Sequence, residues 1–258
     1  MPLTFMTSVA REKPDDNRRP TGYCPFCDVD HLTNIIERDG DRIWLMNKYR
    51  TLADTVQTVI IETSDHDGEI PSYPREKMRA IMRFSLSCWD KMIASGTYRS
   101  VLMYKNFGPL SGGSLHHPHL QVVGLEHDDG YEEVRPENFE GLAVYARDGV
   151  DVTISLKPIM GFFEVNILMP RAAGASARDI FSDAVQESVR YVMNEHHGGR
   201  CTSYNLFFYH MAGKTVCKVV PRWVTSPYFI GYKLAQVNGP DSLALDASAL
   251  RARLERMD

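Results

Sequence analysis

Short β-branched runs and one long amphipathic stretch alternate along the chain, and they do so twice. In the first half, Ile43-Trp44-Leu45-Met46 and Thr55-Val56-Gln57-Thr58-Val59-Ile60-Ile61 read as strands, because short apolar runs rich in β-branched residues suit a pleated, half-buried surface. Over 74–94 the period changes. Met78, Ile81, Met82, Leu86, Trp89 and Ile93 recur at three- and four-residue steps, which predicts a helix with Pro74 near its first turn and Gly96 as its stop. Ser100-Val101-Leu102-Met103-Tyr104 and Leu120-Gln121-Val122-Val123 follow as strands, joined across a Gly-rich loop over 108–114.

The second half repeats the order. Val152-Thr153-Ile154-Ser155-Leu156 and a run over 162–168 form a strand pair. Residues 177–197 form a helix with Ile180, Phe181, Ala184, Val185, Val189 and Val192 on one face and Gly198-Gly199 at its end. Tyr204-Asn205-Leu206-Phe207-Phe208-Tyr209 and Val216-Cys217-Lys218-Val219-Val220 then close a hairpin around Ala212-Gly213. Strands, a long helix and two more strands, twice over, predict an α+β fold made by internal duplication, with antiparallel sheets each carrying a long helix. The polar, Arg- and Pro-rich residues 1–20 read as a mobile arm. The tail after Tyr232 reads as loop until a short helix over 247–257.

Composition narrows the class. With 258 residues, 43% of them apolar and 24% charged, the chain can bury a full core. A net charge of -4 is not the basic footprint of a nucleic-acid binder. No apolar run is long enough to span a bilayer, and the N-terminal segment makes a poor signal peptide, so a cytoplasmic protein is expected. Five cysteines argue against a disulfide framework and leave a metal or redox role for the close pair Cys24 and Cys27. Cys88, Cys201 and Cys217 read as small buried hydrophobes.

Two segments could carry chemistry. In Ser114-Leu115-His116-His117-Pro118-His119-Leu120-Gln121, strand alternation turns His117, His119 and Gln121 to one side and His116 to the other. The loop before it, Gly108-Pro109-Leu110-Ser111-Gly112-Gly113-Ser114, offers backbone N–H groups and hydroxyls at close approach, which suits a phosphate. Cys24-Pro25-Phe26-Cys27 has the spacing of half a zinc site. No second such pair exists in the chain, so histidines must complete the set: His66 and His117 are candidates, and His31 is a rival by proximity. His196 and His197 read as last-turn residues whose partial charge suits the helix dipole.

Asn106, the Gly-rich loop, Ser114 and His117-Pro118-His119-Leu120-Gln121 resemble the active-site segment of galactose-1-phosphate uridylyltransferases. Those enzymes belong to the histidine-triad superfamily, with diadenosine tetraphosphate phosphorylases and ADP-sugar phosphorylases. Arg19-Pro20, the Cys24–Cys27 pair, Asn47-Lys48-Tyr49-Arg50-Thr51-Leu52 and Ser64-Asp65-His66 fall in the family's order upstream. The resemblance implies a structural Zn2+ on Cys24, Cys27, His66 and His117. It makes His119 the nucleophile that takes a nucleotidyl group covalently, with Ser114 and Gln121 holding phosphoryl oxygens. Asn106, Asn47, Gly112 and Gly113 would complete the substrate contacts. The carbonyl of His117 is the expected acceptor for the second nitrogen of His119. The implied organisation is a catalytic half over 21–130 containing the zinc site, a degenerate second half over 131–240, and a tail over 241–258.

The second half departs from the uridylyltransferase pattern. Where duplication would place a second histidine strand stands Cys217-Lys218-Val219-Val220-Pro221-Arg222. Lys218 and Arg222 are counted as candidate substrate contacts there. The expected function is nucleotidyl transfer from a nucleotide sugar to a phosphorylated acceptor. Its alternatives are phosphorolysis or hydrolysis of ADP-sugars or dinucleoside polyphosphates, and a zinc-containing nucleotide-binding module without turnover. Homodimerisation is implied by the resemblance; nucleic-acid and membrane partners are not expected.

Overall fold

The computed structural model describes residues 3–13 and 22–257. Two compact units emerge, one from the residues up to Glu69 with Ala80–Glu133, the other from Ile70–Arg79 with the residues from Val134 onward.

The first unit opens with a short helix, α1 (Thr7–Glu12), preceded by a bridge from Phe5 to Leu52. The described part of the expected mobile arm is therefore attached to the unit; Arg19-Pro20 lies outside the described residues. β1 (Ile35–Asp39), β2 (Arg42–Met46) and β3 (Thr55–Ile61) lead to α2 (Arg75–Ala94), then β4 (Ser100–Phe107) and β5 (His119–Leu125). Neighbouring strands are antiparallel in the order β1-β2-β3-β5-β4. Ile43, Leu45, Val59 and Ile61 form a buried cluster covered by Phe26, Val29, Leu32 and Ile35. The segment carrying Cys24 and Cys27 is thereby packed onto the sheet. α2 buries Met78, Ile81, Met82, Leu86 and Trp89, the stripe its period predicts. The Trp89 indole donates to the Val101 carbonyl of β4 at 3.0 Å. Gly96, at φ +67°, closes the helix with its N–H on the Ile93 carbonyl.

The second unit contains β6 (Gly141–Arg147), β7 (Val150–Ser155), β8 (Val165–Pro170), α3 (Ala175–Asn194), β9 (Tyr204–Met211), β10 (Lys214–Pro221), α4 (Pro227–Tyr232) and α5 (Pro240–Leu254). Its order, β6-β7-β8-β10-β9, is that of the first unit, again antiparallel throughout. β9 and β10 meet in a two-residue turn in which Ala212 and Gly213 both have positive φ, the conformation that matches strand twist. Residues 70–79 group with this unit because α3 holds them. The Arg79 guanidinium forks onto Asp183 at 2.9 and 2.6 Å, and the Gln186 amide donates to the carbonyls of Ile70 and Tyr73 at 2.8 Å each.

Three sequence expectations change here. β1 and β6 carry mixed polar surfaces and are not visible as apolar runs. The tail helix begins at Pro240 rather than 247, with Pro in its first turn. His196, read as a last-turn residue suited to the helix dipole, lies in a 3-10 turn just beyond the end of α3 at Asn194. It is buried, stacked on Phe163 at 4.3 Å, with Nδ1 3.0 Å from the Asp246 carboxylate.

Candidate active site and metal centre

β5 starts where two requirements meet. Pro118 cannot donate to a ladder, so regular pairing begins at His119, opposite Ile61, and Gln121 falls opposite Val59 and Tyr104. Backbone bonds clamp the approach to the strand: the Glu62 N–H donates to the Pro118 carbonyl at 3.2 Å. The ring of Phe26 stands edge-on to both His117 and His119, with centroids 5.8 and 5.4 Å away.

The two histidines face different surroundings. His117 is fully buried, and its Nε2 donates to the Thr63 carbonyl at 2.8 Å. That bond leaves the Nδ1 lone pair free. It lies 3.6 Å from Cys24 Sγ and 3.4 Å from Cys27 Sγ, and His66 Nδ1 is 3.4 Å from Cys27 Sγ. Cys24, Cys27, His66 and His117 thus form a cluster that could hold a metal ion. The spacing fits a tetrahedral ion: bonds of about 2.3 Å to sulfur and 2.0 Å to nitrogen subtend an S···N edge of about 3.5 Å. The donor chemistry agrees. Burial, then the neighbouring Cys24, push the Cys27 thiol up to about 11, so a nearby cation would be needed to hold that sulfur as a thiolate. His31, the rival ligand, turns to Asp28 instead, 2.6 Å away, and its side chain is 81% exposed. His116 also points outward, toward Asp67 at 3.1 Å.

His119 faces a cavity of about 480 Å³ in the first unit, lined also by Asn47, Ser114, Leu115, Gln121 and Tyr49. Its Nδ1 donates to the His117 carbonyl at 2.8 Å, the acceptor expected from the sequence. A carbonyl can only accept, so Nδ1 carries the proton and Nε2 carries the lone pair. Burial outweighs that hydrogen bond and drops the imidazole to about 4, which keeps the ring neutral at ordinary pH. Tyr104 donates its hydroxyl to Gln121 Oε1 at 3.1 Å, leaving the amide nitrogen of Gln121 to donate elsewhere. Burial holds the Tyr104 phenol up at about 12, so it stays a donor.

The candidate substrate residues separate in space. Asn47, Ser114 and Gln121 line the cavity with His119; Asn106, Gly112 and Gly113 are not among its lining residues. The loop binds itself: the Gly113 N–H donates to Ser111 Oγ at 3.3 Å, and that hydroxyl donates to the Gly108 carbonyl at 2.7 Å. Gly112, at φ +87°, faces open space. Lys218 and Arg222 line a different cavity, within the second unit. The sequence reading missed Tyr104, although its signal is simple: it stands two residues before Asn106 on one strand and is brought opposite Gln121 by register. It also missed the buried pair of Lys105 and Glu62, beside the histidine strand.

Models of a domain of unknown function, DUF4931, match the chain in two parts, the N-terminal domain over residues 5–127 and the C-terminal domain over 131–247. The crystal structure of a DUF4931 family protein from Bacillus cereus is 41% identical, covering 85% of this chain and 98% of that one, with a TM-score of 0.76. A uridylyltransferase structure is 16% identical over 93% of both chains, with a TM-score of 0.70. An ADP-glucose phosphorylase from Arabidopsis thaliana with bound ADP-glucose is 14% identical over 94% of this chain and 93% of that one, with a TM-score of 0.71. Among curated proteins none matches in sequence. The chain shares its fold with that uridylyltransferase and that ADP-glucose phosphorylase. With both of its domain models matched in order, and with a relative 41% identical along almost its whole length, the chain belongs to the DUF4931 family.

Proposed function

We propose that the protein is a nucleotidyl-transfer enzyme that works through a covalent nucleotidyl-histidine at His119, with a nucleotide sugar as donor. One observation carries the reading: His119 is buried beside a cavity with Nδ1 tied to the His117 carbonyl, so a neutral, oriented Nε2 lone pair is available. Nε2 forms a bond to the α-phosphorus as the bond to the bridging oxygen breaks, and a sugar phosphate leaves with the electron pair. The ring gains positive charge, which the His117 carbonyl at Nδ1 helps to accommodate. An incoming phosphate oxygen then reverses the step and frees His119, giving ping-pong kinetics. The amide nitrogen of Gln121 and the Ser114 hydroxyl, which line the same cavity, serve as donors to phosphoryl oxygens, whose charge is spread rather than localised. Asn47 meets the nucleotide from the cavity wall. Gly112 and Gly113 belong to the proposal as loop N–H donors to phosphate, and Asn106, on β4, as a contact to the nucleotide or its phosphates.

The ion on Cys24, Cys27, His66 and His117 is zinc in this reading, supported by the two-sulfur, two-nitrogen donor set. It supplies folding free energy and fixes the strand that carries His119. The likeness to a phosphorylase that holds ADP-glucose supports a nucleotide-sugar donor; phosphate as acceptor is the second reading, on the same ground.

Incubation with UDP-glucose, ADP-glucose or diadenosine tetraphosphate labelled in the α-phosphate is expected to leave acid-labile label on the protein, and none on His119→Asn. If no donor labels the wild type, the covalent mechanism fails. Nucleotide affinity without label would favour a binding module.

A further inference from the structure

The second unit has its own cavity, of about 260 Å³, and its charges do not balance. Alternation along β10 places Val216, Lys218 and Val220 on one side. Register sets Lys218 opposite Phe207 on β9 and Asn166 on β8. Three charged side chains line the space: Glu164, Lys218 and Arg222.

Two of these satisfy each other. Lys218 is 1% exposed, and its ammonium lies 2.7 Å from a Glu164 oxygen while donating to Asn166 Oδ1 at 2.7 Å and the Asn138 carbonyl at 2.9 Å. The Glu164 carboxylate also accepts from the N–H groups of Ile159 and Met160, at 3.0 Å each. The pair is closed, with opposite charges and filled hydrogen-bonding capacity.

Arg222 is left over. Its Nη1 donates to Asn205 Oδ1 at 2.8 Å, Nε is buried with no hydrogen-bond partner, and no carboxylate among the described residues comes within ion-pair distance. A guanidinium does not lose its proton at ordinary pH, so its charge persists where the side chain is half-buried. With Nε buried and unpartnered and no counter-charge at hand, an anion at Arg222 would relieve part of the cost of withdrawing the group from water. The remaining walls are mostly apolar, with Ile159, Met160, Phe207, Val220 and Phe229 beside the ring of Tyr209.

We propose that this cavity binds a small organic monocarboxylate with an apolar body, the carboxylate against Arg222 and the body against Phe207, Val220 and Phe229. A single uncompensated positive charge matches a carboxylate. A phosphate monoester, with a charge of about -1.5 to -2 at pH 7, would leave excess negative charge against apolar walls. A guanidinium also matches the planar geometry of a carboxylate. The space has room for a body the size of one aromatic ring or a branched aliphatic chain. Lys218, expected from the sequence to meet substrate, acts here through Glu164 as part of the wall. The site is independent of the chemistry at His119.

Calorimetric titration of the full chain tests it, with benzoate, isovalerate, benzamide, phenyl phosphate and inorganic phosphate as probes. Benzoate or isovalerate is expected to bind saturably, with neutral benzamide at least about tenfold weaker, in line with a charge-assisted contact. Arg222→Met should weaken the carboxylate about tenfold or more while His119→Asn leaves it unchanged. Arg222→Gln, which keeps a polar group beside Asn205, gives the same reading if the Met variant does not fold. The assignment is overturned if neither carboxylate binds at millimolar concentration, if both Arg222 variants bind like wild type, or if His119→Asn abolishes binding. Tighter binding of phenyl phosphate or inorganic phosphate than of benzoate would also overturn it.

Discussion

His119 and His117 stand two residues apart and differ by what each ring nitrogen meets. The Thr63 carbonyl takes Nε2 of His117 and turns its Nδ1 to the sulfurs; the His117 carbonyl takes Nδ1 of His119 and leaves its Nε2 in the cavity. Tyr104 does the same for an amide, since occupying Gln121 Oε1 sets which end of the side chain can donate. Tyr104→Phe removes that constraint without changing the ring. Loss of one neutral hydrogen bond, about 1 kcal/mol, predicts a fall in kcat/KM of roughly fivefold, read by steady-state kinetics, with folding unchanged by circular dichroism. The residue types at Cys24, Cys27, His117, His119 and Gln121 were legible because their spacing is chemical. Tyr104 was not, because its role depends on a neighbour seventeen positions away, brought opposite by register.

At the scale of elements, the residues that could hold a metal ion join the turn at Cys24–Cys27, the segment after β3 and the approach to β5. Removing a ligand loosens all three. Cys24→Ser and His66→Ala are therefore expected to lose bound metal and to lower Tm by several degrees, whereas His31→Ala keeps both; metal analysis and calorimetry check this. Full metal content in His66→Ala would redirect the assignment to His31. In the second unit, α5 docks on the end of α3 through Asp246. Burial works against its carboxylate, but bonds from His196, at 3.0 Å, and Tyr191, at 2.6 Å, hold it below the ordinary carboxylate value. A lowered folded-state pKa stabilises above the unfolded value of about 4 and is lost as pH falls through the folded one. Denaturant midpoints of wild type and Asp246→Asn should therefore differ at pH 7 and converge below about pH 4. Helices were legible from their period. β1 and β6 were not, since edge strands with solvent on one side carry too few apolar positions.

For the molecule as a whole, the repeated strand order makes the two units topological copies with different chemistry. β10, with the sequence Lys214-Thr215-Val216-Cys217-Lys218-Val219-Val220-Pro221, has no histidine to correspond with His119. Covalent labelling is therefore expected to saturate at a single nucleotidyl group per chain, measured by intact mass; a second labelled site would break this reading. No helix among the described residues is long and apolar enough to cross a membrane.

By itself the sequence determined the α+β class, the duplication, the long helices, and which cysteines and histidines of the first unit are candidates for chemistry. Period and residue type carry that information locally. Tertiary structure decided which histidine joins the sulfurs, which nitrogen of His119 is free, and that Lys218 is closed onto Glu164 while Arg222 is not. Those outcomes depend on carbonyls, carboxylates and cavities supplied by residues far apart in the chain, and only the folded register brings them within bonding distance.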